Sequence, residues 1–386
     1  MLRKTISIVV LFASVQMCMG QLTTDDLSGK INTINTAVPF LTLQVNPAIN
    51  GMITSVPDGT PGPGIYGNHS LLALDKTRFQ STCNYYPWNP HVIAGVNLFG
   101  AGGSYRLNEK HTIGMDFRFF SLGTNISAGG IQFNPYELAG SLFYTYNIDK
   151  LTGIGIGLKY IYSDLICHSC IQGVSNTPGK SIAADLSFAR KFPGRNGIVD
   201  HFLGISLNNV GTKISYSKDS ERDFIPTNLT AGYGFRLNFS SRHTLSLSYE
   251  CSKLLVPTPP AYYSDSVDVN GDPVIEFGYD SNVGVFRGMI QSFYDAPGGY
   301  KEEWHEITHA IGMVYHYRFL SAGMGYYCKS PGKGNQEFLS AGISGNFKTN
   351  RAGTSRCRLS FSYLHPINQN PFWPITFQIG LCFTVV

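Results

Sequence analysis

Along most of the chain, apolar and polar residues alternate with a period of two, the repeat that turns successive side chains to opposite faces of a β-strand. In "TLSLSYECS", Leu245, Leu247, Tyr249 and Cys251 share one face, and Ser246, Ser248, Glu250 and Ser252 share the other. "CRLSFSY" sets Cys357, Leu359, Phe361 and Tyr363 against Arg358, Ser360 and Ser362, and "IGMDFRF" sets Ile113, Met115, Phe117 and Phe119 against Gly114, Asp116 and Arg118. The pattern predicts strands starting near Thr77, Ile93, His111, Tyr136, Leu151, Ser181, Ile198, Asn228, Arg242, Glu306, Leu320, Glu337, Thr354 and Trp373. Segments of about ten residues suffice for a tilted strand to cross a bilayer. A soluble sandwich also alternates. Segment length, and polar faces of Gly, Ser and paired charges suited to a hydrated lumen, favour a barrel instead.

Connection lengths point the same way. "NEK", "DK", "PGRNG", "SS", the Phe319–Leu320 join and "NRAG" are tight, while the connections between them are longer, the longest running from about 256 to 305. Short turns at one end and long loops at the other characterise outer-membrane barrels. The expected fold is therefore all-β: a transmembrane antiparallel β-barrel of about fourteen strands over 77–386, with periplasmic termini and long loops at the cell surface. Asp116, Arg118, Lys159, Glu250, Arg318, Arg356 and Arg358 fall on its inward face by parity. Residues 21–76 alternate poorly, are rich in Pro, Gly and Asn, and are too long for an ordinary connection. They read as a lumen plug or periplasmic extension. Residues 1–20 read as a secretory signal: Arg3 and Lys4, then a short apolar run, then small Cys18 and Gly20.

Composition narrows the function. Gly, Tyr and Phe are abundant and the net charge is only +4, too small to argue for a nucleic-acid partner. After the signal the cysteines are Cys83, Cys167, Cys170, Cys251, Cys328, Cys357 and Cys382, an odd set without framework spacing. "CHSC" alone lies in a loop and allows a local disulfide between Cys167 and Cys170. "HEITHAIG" matches the zinc-protease pattern H-E-x-x-H through His305, Glu306 and His309. That chemistry needs a helix, in which residues i and i+4 share a face. On a strand, residues four apart lie about 13 Å apart. The surrounding alternation is strand-like, with His316 inward and His309 outward, so no metal, cofactor or catalytic residue is expected.

Several stretches then resemble one family: "FRFFSLG", "KYIYSDL", "PGKSIAADL", "NNVGTKISY", "DFIPTNL", "KLLVPTPP", "QSFYDAPGG" and "FSYLHP", in order along the chain. They look like the PorV (LptO) proteins, outer-membrane components of the type IX secretion system. The resemblance implies a FadL-like barrel, not an enzyme, that receives secreted cargo from the outer-membrane translocon by its C-terminal signal domain. It further implies delivery of that cargo to the surface attachment and sortase complex. The segment "AVPFLTLQVNPAINGM" departs from the family by lacking an Asp-Ala-Arg-Ala-Gly continuation, and "GNHSLLALDKTR" lacks an Asn-Pro-Ala. Residues expected to touch cargo or partners are Phe224, Pro226, Pro257, Pro259, Pro260, Phe293, Tyr294 and Asp295. The prolines stiffen the loop and lower the entropy lost on binding, and the two aromatics supply contact area. The other reading, suggested by the FadL-like fold, is a transporter of hydrophobic small molecules; the charged inward face suits a plugged interior better.

Overall fold

The computed structural model describes residues 32–386 apart from 48, 59–62, 89–94, 128, 166–176, 218–221, 241, 268–272 and 369–375. The expected signal segment and the Cys167–Cys170 pair lie outside the described residues. The strands are β1 (Phe79–Pro87), β2 (Val96–Arg106), β3 (His111–Leu122), β4 (Asn125–Ile126), β5 (Gln132–Phe133), β6 (Tyr136–Asp149), β7 (Thr152–Asp164), β8 (Gly179–Pro193) and β9 (Val199–Gly211). They continue with β10 (Asn228–Ser240), β11 (His243–Leu254), β12 (Ala261–Val267), β13 (Pro273–Phe277), β14 (Thr308–Tyr317), β15 (Leu320–Lys329), β16 (Gln336–Lys348), β17 (Ser355–Pro366) and β18 (Thr376–Val385).

Fourteen of these form one closed antiparallel barrel in chain order, while β4–β5 and β12–β13 are separate hairpins within long connections. Pairing of β1 with β18, from Phe79↔Val385 to Tyr85↔Ile379, closes the ring and leaves no exposed edge. Every barrel strand begins within three residues of its predicted start.

The two faces are inverted relative to a water-soluble protein. On β17, Leu359, Phe361 and Tyr363 point outward and are exposed, while Arg358, Ser360 and Ser362 are buried. Leu142 on β6 is 65% exposed and Ile343 on β16 is 63% exposed. An apolar band of this extent on every strand fits lipid, not water. All six connections predicted to be tight are short and fall at one end of the barrel, together with the starts of β1 and the end of β18. The long connections gather at the other.

The interior holds chain. The described parts of residues 32–76 run through it, carrying two short α-helices, α1 (Pro63–Tyr66) and α2 (Leu71–Leu74). Val38, Phe40, Leu41, Val45, Ile65, Tyr66 and Leu72 pack with Leu98, Phe120, Ala139, Phe143 and Ile161 of the wall. Inward charges hold this plug through its backbone. Glu250 accepts from the Thr54 amide (2.8 Å), the Ser55 amide (2.7 Å) and the Ser55 hydroxyl (2.5 Å). Arg118 donates to the carbonyls of Leu41 (3.1 Å) and Tyr66. Lys159 pairs with Asp185 at 3.0 Å, beside the buried His69 of the plug. Close approach also requires glycine on the wall: a Cβ at Gly204 would stand 1.8 Å from the Ser55 carbonyl oxygen, and one at Gly312 would stand 1.9 Å from that of Asn50.

Parity fails for two of the seven inward charges. Arg318 sits in the turn between β14 and β15 with φ 55°, and Arg356 lies at the very rim; both are exposed. Arg318 lies outside the paired register and Arg356 one residue inside the start of its strand, so both meet water at the rim.

Candidate functional site

The long connection between β11 and β14 makes the most elaborate surface at the long-loop end. It leaves the barrel through Leu255, Val256 and Pro257, all buried, and the Leu255 amide donates to the Thr227 carbonyl at 2.8 Å. After the β12–β13 hairpin come two short helices, α3 (Val285–Gln291) and α4 (Tyr300–His305). The underside of α3 needs Gly288, because a Cβ there would lie 2.8 Å from the Phe224 ring and 3.0 Å from Pro257.

A buried cluster of charges ties α4 to the barrel. Lys253, near the end of β11, pairs with Glu303 at 3.0 Å and with Glu306. Lys333, from the β15–β16 connection, pairs with Glu302 at 2.5 Å and Glu306 at 2.9 Å. The Thr258 hydroxyl donates to Glu306 at 2.6 Å. The intervening turn is held by amides: Thr258 to Asp295 (3.2 Å), Ala296 to Glu303 (2.9 Å) and Gly298 to Glu302 (2.6 Å). Burial pushes the Asp295 carboxyl up to about 6, and the nearby Glu303 and Glu306 charges add to the shift. Burial also opposes ionisation of Glu306, but Lys253, Thr258 and Lys333 together outweigh it and hold that carboxyl below its ordinary range.

This disposes of the apparent zinc motif. His305 closes α4 and is exposed. His309 lies on β14, where its Nδ1 shares a 2.7 Å hydrogen bond with the Tyr249 hydroxyl. Glu306, the would-be base, is engaged by two lysines and a threonine. The motif therefore straddles a helix end and a strand, and its two histidines do not share a helical face.

What the support presents outward is apolar. Phe286 and Ile290, spaced by four on α3, are 75% and 66% exposed, and Phe293 continues the same ridge beyond the helix end. Tyr294 stands beside it, edge-on to Tyr279 with ring centroids 5.5 Å apart. Tyr300 and Trp304 on α4 are exposed as well. Of the eight residues singled out from sequence, Phe293 and Tyr294 belong to this ridge. Asp295, Pro226, Pro257 and Pro260 are buried beneath it, and Phe224 and Pro259 are half-buried. Phe286, Ile290, Tyr300 and Trp304, which the sequence reading did not single out, are exposed like Phe293 and Tyr294. The i, i+4, i+7 spacing in "FRGMIQSF" places three of these apolar residues on one face, within a stretch read only as a long connection.

The model of the family described as type IX secretion system protein PorV matches residues 27–261. The chain belongs to the PorV family. The matched range takes in the plug, the strands through β11 and the prolines at 257, 259 and 260, and ends at Ala261, so the aromatic ridge of this PorV-family protein lies beyond it. No curated protein matches the chain. Among solved structures it is similar to the Ralstonia pickettii toluene transporter TbuX (10% identity, 89% of this chain and 98% of that chain, TM-score 0.46). It is also similar to the CymD monoaromatic hydrocarbon channel (13% identity, 89% and 97%, TM-score 0.48). A third is a Pseudomonas aeruginosa FadL homologue (9% identity, 92% and 98%, TM-score 0.43). The protein is thus an outer-membrane β-barrel of the type IX secretion system.

Proposed function

We propose that this PorV-family barrel binds secreted cargo by its C-terminal signal domain at the translocon and passes it to the surface attachment and sortase complex. The long-loop end faces the cell exterior in this reading, and both termini face the periplasm. The observation that carries it is the ridge of Phe286, Ile290, Phe293 and Tyr294, exposed on a loop whose underside is fixed by buried ion pairs. Aromatic side chains on a preformed support lose little entropy on binding and are typical interface anchors. Asp295 and the prolines act here as the support, not as contacts. Cargo is held outside the barrel in this reading, which is supported by the packing of residues such as Phe40 and Ile65 against the inner wall. Passage of small hydrophobic molecules would instead need a route past that segment, which Glu250 and Arg118 hold by hydrogen bonds.

Pull-down of the detergent-solubilised protein from its own cells, beside the variant Phe293→Ala/Tyr294→Ala, tests the reading. Cargo with C-terminal signal domains, the translocon or the sortase should co-elute with the parent protein and fall at least tenfold in the variant. Partners recovered equally by both would keep the shuttle and remove the ridge from it. Absence of all such partners, with uptake of a labelled hydrocarbon dependent on the protein, would replace the shuttle by a transporter.

A further inference from the structure

At the opposite end of the barrel, where β14–β15 and β16–β17 turn, an open cavity of about 530 Å³ is lined by Arg318, Phe319, Asn346, Phe347, Lys348 and Arg356. Three of its six lining residues are cationic and none is acidic. Arg318 lies over the Tyr317 ring at 5.2 Å, and among the described residues no ion pair involves Arg318, Lys348 or Arg356. Like charges gathered around one cavity repel unless an anion enters it.

The walls are apolar. Phe319 and Phe347 are half-exposed on the lipid-facing side, with ring centroids 5.8 Å apart. They stand on the rim side of tyrosines bonded to histidines: Nδ1 of His111, His201 and His243 lies 2.6 Å from the hydroxyls of Tyr144, Tyr233 and Tyr315, and the register sets Tyr315 level with Ile343, four residues short of Phe347. Each of these histidines lies in the opening residues of a strand that follows a short turn. Amphipathic rings collect where hydrocarbon gives way to headgroups. The cavity therefore sets cations and phenyl rings side by side at headgroup height.

We propose that this rim cavity binds a phosphate group carried by a membrane lipid, with Arg318, Lys348 and Arg356 around the phosphate and Phe319 and Phe347 beside the first acyl carbons. Guanidinium groups match phosphate oxygens in geometry as well as charge. The site is independent of the cargo ridge and fixes the depth of this rim in its leaflet.

Native mass spectrometry of the full-length protein in detergent tests it, with dioleoyl phosphatidylglycerol, dioleoylglycerol and inorganic phosphate as probes. The parent protein should retain one phosphatidylglycerol and no dioleoylglycerol. The variant Arg318→Gln/Lys348→Gln/Arg356→Gln should bind that lipid roughly a hundredfold more weakly, from about fivefold per basic side chain. Phe319→Ala/Phe347→Ala should weaken lipid but not phosphate. Full displacement of the lipid by millimolar inorganic phosphate would keep the phosphate site and assign it a soluble source. Equal lipid retention by parent and triple variant, or equal binding of dioleoylglycerol and phosphatidylglycerol, would overturn the proposal. Heat-modifiable gel migration reports barrel folding; should the triple variant fail it, Arg356→Gln alone should still show the fivefold loss.

Discussion

Glu306 illustrates how one side chain takes its role from what surrounds it. In the sequence it is the central residue of a protease motif; in the fold it joins Lys253, Lys333 and Thr258, and so fastens the end of α4 to strand β11 and to the β15–β16 connection. Removing one partner from a buried ion cluster leaves the others unpaired, at about 3 kcal/mol. Glu306→Gln should therefore raise hydrogen exchange across 285–305 while leaving exchange in the barrel strands unchanged, and it should not alter zinc content. Asp295 and Glu306 pull the pH dependence in opposite directions. The Glu306 pKa is lowered on folding, so its contribution is present above its unfolded value and is lost as pH falls through the folded one. Asp295 rises from 3.8 to about 6, so its contribution is full below pH 3.8 and is lost as pH climbs to 6. Loop protection, corrected for intrinsic exchange, should thus decline between about pH 4 and 6 by up to about 2 kcal/mol. Asp295→Asn should abolish that decline; an unchanged profile would mean Asp295 is not the group responsible.

The loop helices show what the sequence hides. Strands were legible because a membrane barrel imposes one repeat on every segment, apolar toward lipid and polar toward the interior, and starts such as His111, Tyr136, Asn228 and Leu320 coincide with the observed ones. Helices α3 and α4 have seven and six residues, too short for local propensity to decide. Their order comes from Lys253 on β11, Lys333 beyond β15 and Phe224 before β10, partners that no local window contains. The same dependence on distant residues explains why the burial of Asp295, Pro226, Pro257 and Pro260 was not legible in the sequence. Two substitutions on α3 separate surface from support. Phe286→Ser/Ile290→Ser touches only exposed positions and should change loop stability by less than about 0.5 kcal/mol while weakening partner capture. Gly288→Val pushes against Phe224 and Pro257 and should cost about 1–3 kcal/mol, seen as faster proteolysis of the loop.

A barrel of fourteen strands with an empty interior would be a channel, and the sequence alone left open whether residues 21–76 close it. Parity identified the inward charges, but not that they meet a backbone instead of water. That outcome depends on wall glycines such as Gly204 and Gly312, which let residues 50–55 lie directly against the strands. Beside this stretch, the space lined by Asn46, Pro47, Asn50, Asp58 and Arg358 measures about 30 Å³, room for ordered water but far below the several hundred Å³ of a small-molecule site. Glu250 is the natural place to test the seal, because one carboxylate oxygen accepts three hydrogen bonds from Thr54 and Ser55. Its removal leaves two plug amides unpaired against a wall too close to admit a full hydration shell, a cost of about 3 kcal/mol. That loss is local to the plug, since the barrel's own hydrogen bonds do not pass through Glu250. In planar bilayers the parent protein should be silent and Glu250→Ala should open intermittently. Steady conductance by the parent would show that the plug does not seal the lumen, and the case for cargo held outside the barrel would then lose its structural basis.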